Sequence, residues 1–295
     1  FMFAEVPLRL PSDCDIYHAL SPFESVYLSL KKRSVVTMHD LIPMLHPDVV
    51  SGYDRGNFRG FRRILDKHLF EFVCRRGKHC TKVICISEET KRDAIVHLGI
   101  PEEKIMIVPQ GIDPMLASKA GAVKRSDGIY RVGYVGALQW RKRVDLLIKA
   151  FRSMNEKGIE LVIAGDGYEE EAFKRMALGD ERIKFVGFLP EEDMGEFLGS
   201  LDLFCFPTAM EGYGLPIVEA LACGVPVVTL DDAMIPKMVK RHTAAVSRDK
   251  LAETIRSYVL EGRRASEDSV SWARGQTWNE TVRRTLDVYR EILDD

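Results

Sequence analysis

Short runs of β-branched and apolar residues alternate with longer amphipathic stretches along the whole chain. This pattern is typical of parallel strands joined by crossover helices, and it predicts an α/β fold. In the first part, strands are expected at 15–19, 34–38 and 82–87, and helices at 22–31, 57–76 and 88–98. In the second part, strands are expected at 130–136, 159–165, 183–187, 202–207 and 225–229.

The length of 295 residues exceeds the ~100 to 200 residues of an ordinary domain, so two domains are expected. Residues 99–114, followed by a polar stretch at 118–128, are interpreted as the passage between them. Three strands are few for the first domain when the second has at least five. We therefore expect an N-terminal portion to be missing from this sequence.

The charges are nearly balanced, with 42 Lys plus Arg against 44 Asp plus Glu. No overall field favours nucleic acid, which is not expected as a partner, or an anionic membrane. Any anion must therefore be bound locally. No apolar run approaches the ~20 residues needed to span a bilayer.

The six cysteines are scattered, and several lie in apolar runs, which is typical of reduced, buried thiols in a cytoplasmic protein. Cys74, His79, Cys80 and Cys85 can also be interpreted as a metal cluster, but their spacing matches no structural zinc pattern and core packing is favoured. The acidic pair in residues 13–15 is a D-x-D triplet, and as an isolated short motif it is weak support for a metal site. No metal is expected.

Polar, glycine-bearing and charged segments follow the strands predicted for the second domain. Three consecutive cations, residues 141–143, follow the strand at 130–136, and a turn at 208–216 follows the strand at 202–207. Ligands of open α/β sheets bind beyond the carboxyl ends of the strands. The coincidence of these segments at one sheet edge predicts a binding site there.

The turn that begins at Glu211 opens a predicted helix running to about residue 222. Gly212 and Gly214 allow backbone amides to approach a ligand closely. The free N–H groups and the positive end of the helix dipole make an anion site. With Arg141 and Lys142 from the neighbouring strand end, this site is predicted to hold a diphosphate from two sides.

Two glutamates frame the predicted anion site. Glu219, one turn into the helix, can reach ribose hydroxyls, and Glu211 on the loop is free to face a reacting sugar. Singly, each feature has a plain structural interpretation, because consecutive cations often begin a solvated helix and glycine-rich turns are common in α/β proteins. Their joint placement at one sheet edge favours a functional site.

The segment EGYGLPIVE (211–219) resembles the E-x7-E element of family 4 of the retaining glycosyltransferases. Further segments similar to that family are 35–43, 83–113, 136–151, 161–171, 185–208, 219–229 and 277–293. The resemblance implies the GT-B architecture, in which two Rossmann-like domains face each other across a cleft. It implies an acceptor-side domain at 1–113, a nucleotide-sugar donor domain at 114–276, and a helix at 277–295 that crosses back onto the first domain.

The resemblance also implies retaining transfer of a hexose from a nucleotide diphosphate sugar to a hydroxyl of a glycan or lipid-linked acceptor, without a cofactor. Mannose from GDP-mannose is favoured, and UDP-glucose or another donor remains open. Catalytic roles are implied for Glu211 at the sugar, for His39 across the cleft, and for Lys142 at the departing diphosphate, whose developing negative charge needs preorganised cations. Donor-binding roles are implied for Arg141, Lys142, Gly165, Phe188 (base), Gly212, Tyr213, Gly214, Leu215 and Glu219 (ribose).

The sequence departs from the family pattern in three places, one of which is Lys237, where an acidic residue is common. Ala137 stands where many members carry an arginine, so Arg141 and Lys142 must suffice for the phosphates. Nothing in residues 1–20 resembles the family's glycine-containing loop, which agrees with an expected truncation. Two other functions stay open from the residues alone: a nucleotide-sugar epimerase of the same architecture, and a non-catalytic protein that binds sugar nucleotides.

Residues 55–82 contain nine Lys or Arg residues against Asp66 and Glu71, with apolar residues near a helical stripe. One interpretation is a core-facing helix with a solvated basic face. The other is peripheral contact with anionic lipid head groups at the cytoplasmic face of a membrane.

Overall fold

The computed structural model describes residues 13–28, 33–50, 59–123 and 126–294, with side-chain surroundings for all of these except 26, 27, 50 and 59–66. The described chain divides into two compact units. One takes its residues from Phe1–Gln110 and Asn279–Asp295, and the other from Gly111–Trp278. Each unit contains a parallel sheet with helices, which confirms the predicted α/β class.

The described part of the first unit has a parallel sheet in the order β1-β2-β3-β4. Its strands are β1 Tyr17–Ala19, β2 Ser34–Met38, β3 Lys82–Cys85 and β4 Ile105–Ile107. Its helices are α1 Pro22–Leu28, α2 Ile42–Leu45, α3 Pro47–Val50, α4 Arg59–Arg76 and α5 Glu88–Leu98. A last helix, α14 (Trp278–Asp294), contributes its residues from Asn279 onward.

The first unit has a core on each side of its sheet. Successive strand residues point to opposite faces, so the neighbours Val35 and Val36 enter different cores. Val36 packs with the buried residues of the side that includes α4. On the other side, Val35 and Ile84 pack with Val288 and Ile292 of α14, all four being nearly inaccessible. The last helix thereby packs against one face of this sheet.

The described part of the second unit has a parallel sheet in the order β10-β9-β8-β5-β6-β7. Its strands are β5 Tyr130–Val135, β6 Ile159–Ala164, β7 Ile183–Gly187, β8 Leu203–Phe206, β9 Val227–Leu230 and β10 Ala244–Val246. Its helices are α6 Met115–Ala122, α7 Val144–Arg152, α8 Glu170–Ala177, α9 Met194–Gly199, α10 Leu215–Ala222, α11 Lys237–Lys240, α12 Leu251–Glu261 and α13 Glu267–Gly275.

The strand order of the second unit determines which loops can meet. The chain enters at the central strand β5, moves out to β6 and β7, and returns to place β8 on the other side of β5. Val132 of β5 pairs with Leu203 of β8 across this return. Because all these strands are parallel, the loops after β5 and β8 leave the same edge of the sheet.

Two described strands, β4 and β10, were not predicted. Each has three residues, too few to show a period-two pattern, and β4 lies inside the 99–114 segment that was interpreted as a linker. The predicted helices at 22–31 and 57–76 extend over residues 29–31 and 57–58, which lie outside the described residues. None of the helices in the described ranges combines the length and apolar character needed to cross a membrane.

Candidate active site

Two loops at neighbouring strand ends form the candidate site. One loop follows β5 and includes the short 3-10 helix Trp140–Lys142, and the other follows β8. The Ala209 amide donates to the Arg141 carbonyl at 2.9 Å. In return, the Arg141 guanidinium donates to the Met210 carbonyl at 2.8 Å. The two loops are therefore tied together by backbone and side-chain hydrogen bonds.

A largely buried ion pair lies at the centre of these loops. Lys142 Nζ donates to Glu211 Oε1 at 2.7 Å, and Arg141 Nη1 lies 3.6 Å from the same oxygen. The Lys142 ammonium also lies 5.1 Å from the centroid of the Phe206 ring. Since Lys142 is only 8% exposed, its charge is poorly screened and acts strongly on a neighbouring anion.

Thr208 fixes the carboxylate of this pair. Its hydroxyl is buried and lies 2.6 Å from Glu211 Oε1 and 3.2 Å from the Met210 carbonyl. A short contact to a charged carboxylate is a strong hydrogen bond that restricts the Glu211 rotamer. The sequence analysis assigned no role to Thr208. A small hydroxyl residue shortly after a buried strand could have indicated a residue of the site.

Helix α10 begins beside the ion pair. Its N-cap, Gly214, has a φ of 97°, in the left-handed region that favours glycine. Pro216 lies in the first turn, where a missing N–H costs nothing. The first-turn amide of Leu215 has no acceptor within the helix because of its position. The Ile217 and Val218 amides donate to the Gly214 carbonyl, so the Leu215 amide is the one that this first turn offers to an anion, and the anion site stays a prediction.

Among the carboxyl groups of the candidate site, Glu219 has the most strongly shifted pKa. Burial, with a smaller contribution from the Glu191 carboxylate, raises the pKa of Glu219 to about 7. No hydrogen-bond or ion-pair partner for this carboxyl is found among the described residues. Buried polar groups are normally hydrogen-bonded, so an unpartnered carboxyl on α10 is well suited to accept hydroxyl groups of a ligand.

Two aromatic side chains are exposed after the neighbouring strands β6 and β7. Phe188, directly after β7, is 71% exposed, and Tyr168, in the turn after β6, is 98% exposed. An exposed aromatic face offers a stacking surface for a planar base. Phe188 was predicted in this role. Tyr168 was not singled out, although an aromatic residue in a polar turn at a strand end was the signal for it.

The surroundings of two predicted donor-binding residues, Tyr213 and Gly165, limit what each can contribute to a donor site. The Tyr213 side chain is buried at 2% exposure, with its hydroxyl 3.5 Å from Gln276 Oε1, so only its backbone remains available for a donor. Gly165 has a φ of 119°, and a β-carbon there would lie 2.0 Å from the Gly136 carbonyl oxygen. Glycine is therefore required at 165 for the close approach of two loops, whatever its part in binding.

His39 lies directly after β2 in the first unit. Its Nε2 donates to the Leu20 carbonyl at 3.0 Å, and the Gln110 side-chain amide lies 3.4 Å from its Nδ1. This arrangement fits an imidazole that is protonated at Nε2 and accepts at Nδ1. The role of His39 toward a donor sugar stays a prediction.

The cysteines and the aspartates that were considered as metal ligands lie in different surroundings. Cys74, Cys80 and Cys85 are buried in the first core, and burial raises the pKa of Cys74 and of Cys85 to about 12. Asp13 and Asp15 are exposed. Within the described segments, no three His, Cys, Asp or Glu side chains are grouped as metal ligands.

Two solved structures with the same fold are distant from this chain in sequence. HepE from Anabaena, in complex with UDP and glucose, is 19% identical with a TM-score of 0.69, over 94% of this chain and 77% of that one. WaaG, a glycosyltransferase involved in lipopolysaccharide biosynthesis, is 19% identical with a TM-score of 0.64, over 88% and 72% of the two chains. Two parallel-sheet α/β units with these neighbours define a protein of the GT-B fold class.

The family model described as Glycosyl transferases group 1 matches residues 121–271, just over half of the chain. A second model, Glycosyltransferase Family 4, matches residues 5–116. The chain belongs to the Glycosyl transferases group 1 family.

Two curated relatives illustrate the range of similarity. O-antigen chain mannosyltransferase B from Escherichia coli is 24% identical, with 88% of this chain and 70% of the relative covered. The amylovoran biosynthesis glycosyltransferase AmsK from Erwinia amylovora is 30% identical over 51% of this chain and 39% of its own length. The chain thus spans only part of the length of each.

Proposed function

We propose that this protein transfers a hexose from a nucleoside diphosphate sugar to a hydroxyl acceptor, with retention of the anomeric configuration. The observation that carries the proposal is the convergence of Lys142, Arg141 and Glu211 beside the N-terminus of α10. Two cations and a helix N-terminus suit a diphosphate, and a carboxylate beside them suits a sugar. Membership of a glycosyltransferase family agrees with this chemistry.

In the proposed reaction, the bond between the anomeric carbon and the diphosphate oxygen breaks as the acceptor oxygen bonds to that carbon on the same face. The acceptor proton passes to the departing diphosphate. Lys142 and Arg141 stabilise the negative charge that develops on this leaving group. Because their positions are fixed by contacts with the loop after β8, little reorganisation is needed during the reaction.

Other side chains hold the donor in the proposed complex. Glu219 accepts hydroxyls of the ribose, Phe188 stacks on the base, and the Leu215 amide at the start of α10 donates to a phosphate oxygen. Glu211, held by Thr208, contacts the sugar close to its anomeric carbon. Each group thus acts on a different part of the nucleotide sugar.

GDP-mannose is our preferred donor, and a UDP-hexose is the alternative. A mannosyltransferase among the relatives supports the first, and a neighbour that binds UDP and glucose supports the second. Calorimetric titration with GDP, UDP, GDP-mannose and UDP-glucose, without added metal, should show binding and preference for one nucleotide. Absence of binding to all four would contradict the assigned site or indicate that Ala137 has disabled it.

A product assay separates transfer from the other functions. We expect a glycosylated hydroxyl acceptor whose anomeric configuration, measured by NMR coupling constants, equals that of the donor. An epimerase would instead change the sugar of the donor without an acceptor, and a non-catalytic binding protein would leave the donor intact.

We further propose that α4 contacts an anionic membrane surface. Leu69 and Phe72 are 39% and 55% exposed on this helix, which ends in Arg75 and Arg76. Residues 55–58 of the basic segment 55–82 lie outside the described residues, and the side-chain surroundings of 59–66 are not described. Exposed apolar side chains beside cations are the combination that interfacial helices use.

Replacement of Leu69 and Phe72 by serine should reduce sedimentation with vesicles that contain anionic lipid, by about tenfold in partition for each large side chain removed from the interface. Val96→Ser is the matched control, because Val96 is 66% exposed on α5 of the same unit. Equal sedimentation with neutral and anionic vesicles, or no effect of the double change, would count against membrane contact.

A further inference from the structure

Arg143 is the one non-glycine residue with positive φ in the described part of the chain, with φ 54° and ψ 34°. This left-handed conformation is disfavoured for residues with a β-carbon, by about tenfold in population. Such a conformation persists only when its surroundings hold it, and it often lies beside functional groups. Arg143 directly follows Lys142 of the proposed donor site.

The strained residue is a junction between two fixed segments. It ends the turn Trp140–Lys142, with its amide donating to the Trp140 carbonyl at 2.9 Å, and it is the N-cap of α7. Helix α7 is anchored immediately by Val144, which is fully buried. Relaxation of φ at Arg143 would therefore displace the turn that carries Lys142 more readily than the helix.

Asp232 holds Arg143 in place. Arg143 Nη1 donates to Asp232 Oδ1 at 2.7 Å, while Arg248 donates to Oδ2 at 2.5 and 3.1 Å. Burial tends to raise the pKa of Asp232, but the hydrogen bonds from Arg248 and Arg143 outweigh it and lower this pKa. The carboxylate therefore remains charged and paired at neutral pH.

The segment that carries Asp232 also fixes the second loop of the site. The Met234 amide donates to the Ala209 carbonyl at 2.8 Å, and the Glu211 amide donates to the Met234 carbonyl at 2.9 Å. The turn after β9 thus contacts the Glu211 loop through its backbone and the Lys142 loop through Asp232. An ion pair that served only the surface would not need to connect the two loops of the site in this way.

We propose that Asp232 is a positioning residue, which keeps Arg143 in its left-handed conformation and thereby orients Lys142 toward the donor diphosphate. This inference rests on the proposed function of the Lys142 site. Glycine adopts the left-handed conformation without help from other residues. If residue 143 is glycine, Asp232 should therefore no longer be needed to hold the backbone there.

The test is a double-mutant cycle of Asp232→Ala and Arg143→Gly, with the Kd for the preferred nucleoside diphosphate and the thermal midpoint measured for each protein. In the native background, Asp232→Ala should raise Kd about 3- to 10-fold, because the strain is released. In the Arg143→Gly background, the same change should alter Kd less than about twofold. Asp180→Ala, which removes the partner of Arg182 before β7, should lower the midpoint only.

Three results would overturn the positioning role. They are an unchanged Kd for Asp232→Ala, an equal rise of Kd in both backgrounds, and a loss of affinity from Arg143→Gly alone, which would make its guanidinium a direct ligand. If the native protein binds no nucleotide, the proposed function fails on its own. The thermal midpoints then test whether Asp232 holds the conformation of Arg143, since equal destabilisation by Asp232→Ala in both backgrounds would overturn that role.

Discussion

Lys142→Ala should weaken binding of the nucleoside diphosphate by about 10- to 100-fold, because a charge-assisted contact contributes ~1.5 to 3 kcal/mol. The Lys142 ammonium is buried and held toward Glu211, so its rotamer is fixed before a ligand arrives. Arg141 remains beside the site after the change, which is why some affinity should survive. Calorimetric titration of the folded variant measures the effect directly.

Lys142→Ala also leaves the Glu211 carboxylate without its closest cation, and that orphaned charge would itself repel a diphosphate. The double variant Lys142→Ala/Glu211→Gln removes this contribution and should still bind more weakly than Glu211→Gln alone. Lys149→Ala is the matched control, since Lys149 is exposed on α7 and paired only with Asp145. Native affinity in the Lys142 variant would remove Lys142 from the donor site.

Glu211→Gln should lower turnover by roughly 100-fold or more, the magnitude seen when a group that acts on developing charge is lost. Binding of the nucleoside diphosphate should be unchanged or tighter. The carboxylate lies 2.7 Å from Lys142 and 3.6 Å from Arg141, so it partly neutralises the cations that a diphosphate needs. The amide keeps the shape of the side chain and removes that competition.

Separate measurements of kcat and of nucleotide Kd distinguish the two effects. Glu171→Gln, on the exposed surface of α8, controls for a simple loss of negative charge and should change neither quantity. If Glu211→Gln retained native kcat, Glu211 would have no part in the chemistry. A large loss of affinity without loss of kcat would instead make it a ground-state ligand.

The number and type of the longer elements could be predicted from sequence. The strands at 34–38 and 183–187 and the helix at 88–98 have the predicted bounds, because apolar runs and helical periodicity express burial directly. The turn that begins at Glu211 indicated the helix α10, which ends at Ala222 as predicted, since the preferences of turn residues are local. The short strands β4 and β10 gave no such signal and depend on pairing with longer neighbours.

Which side chains contact one another in the site could not be predicted from the sequence. Lys142 and Glu211 are 69 positions apart, and they meet because β8 returns to the free side of β5. The burial of Tyr213, the Thr208 hydrogen bond and the contact of Asp232 with Arg143 likewise arise from packing between distant segments. Local chemistry by itself determined the class of fold and the residue types at one sheet edge. Only the tertiary structure decided their partners, because strand order and side-chain packing are set by the whole chain.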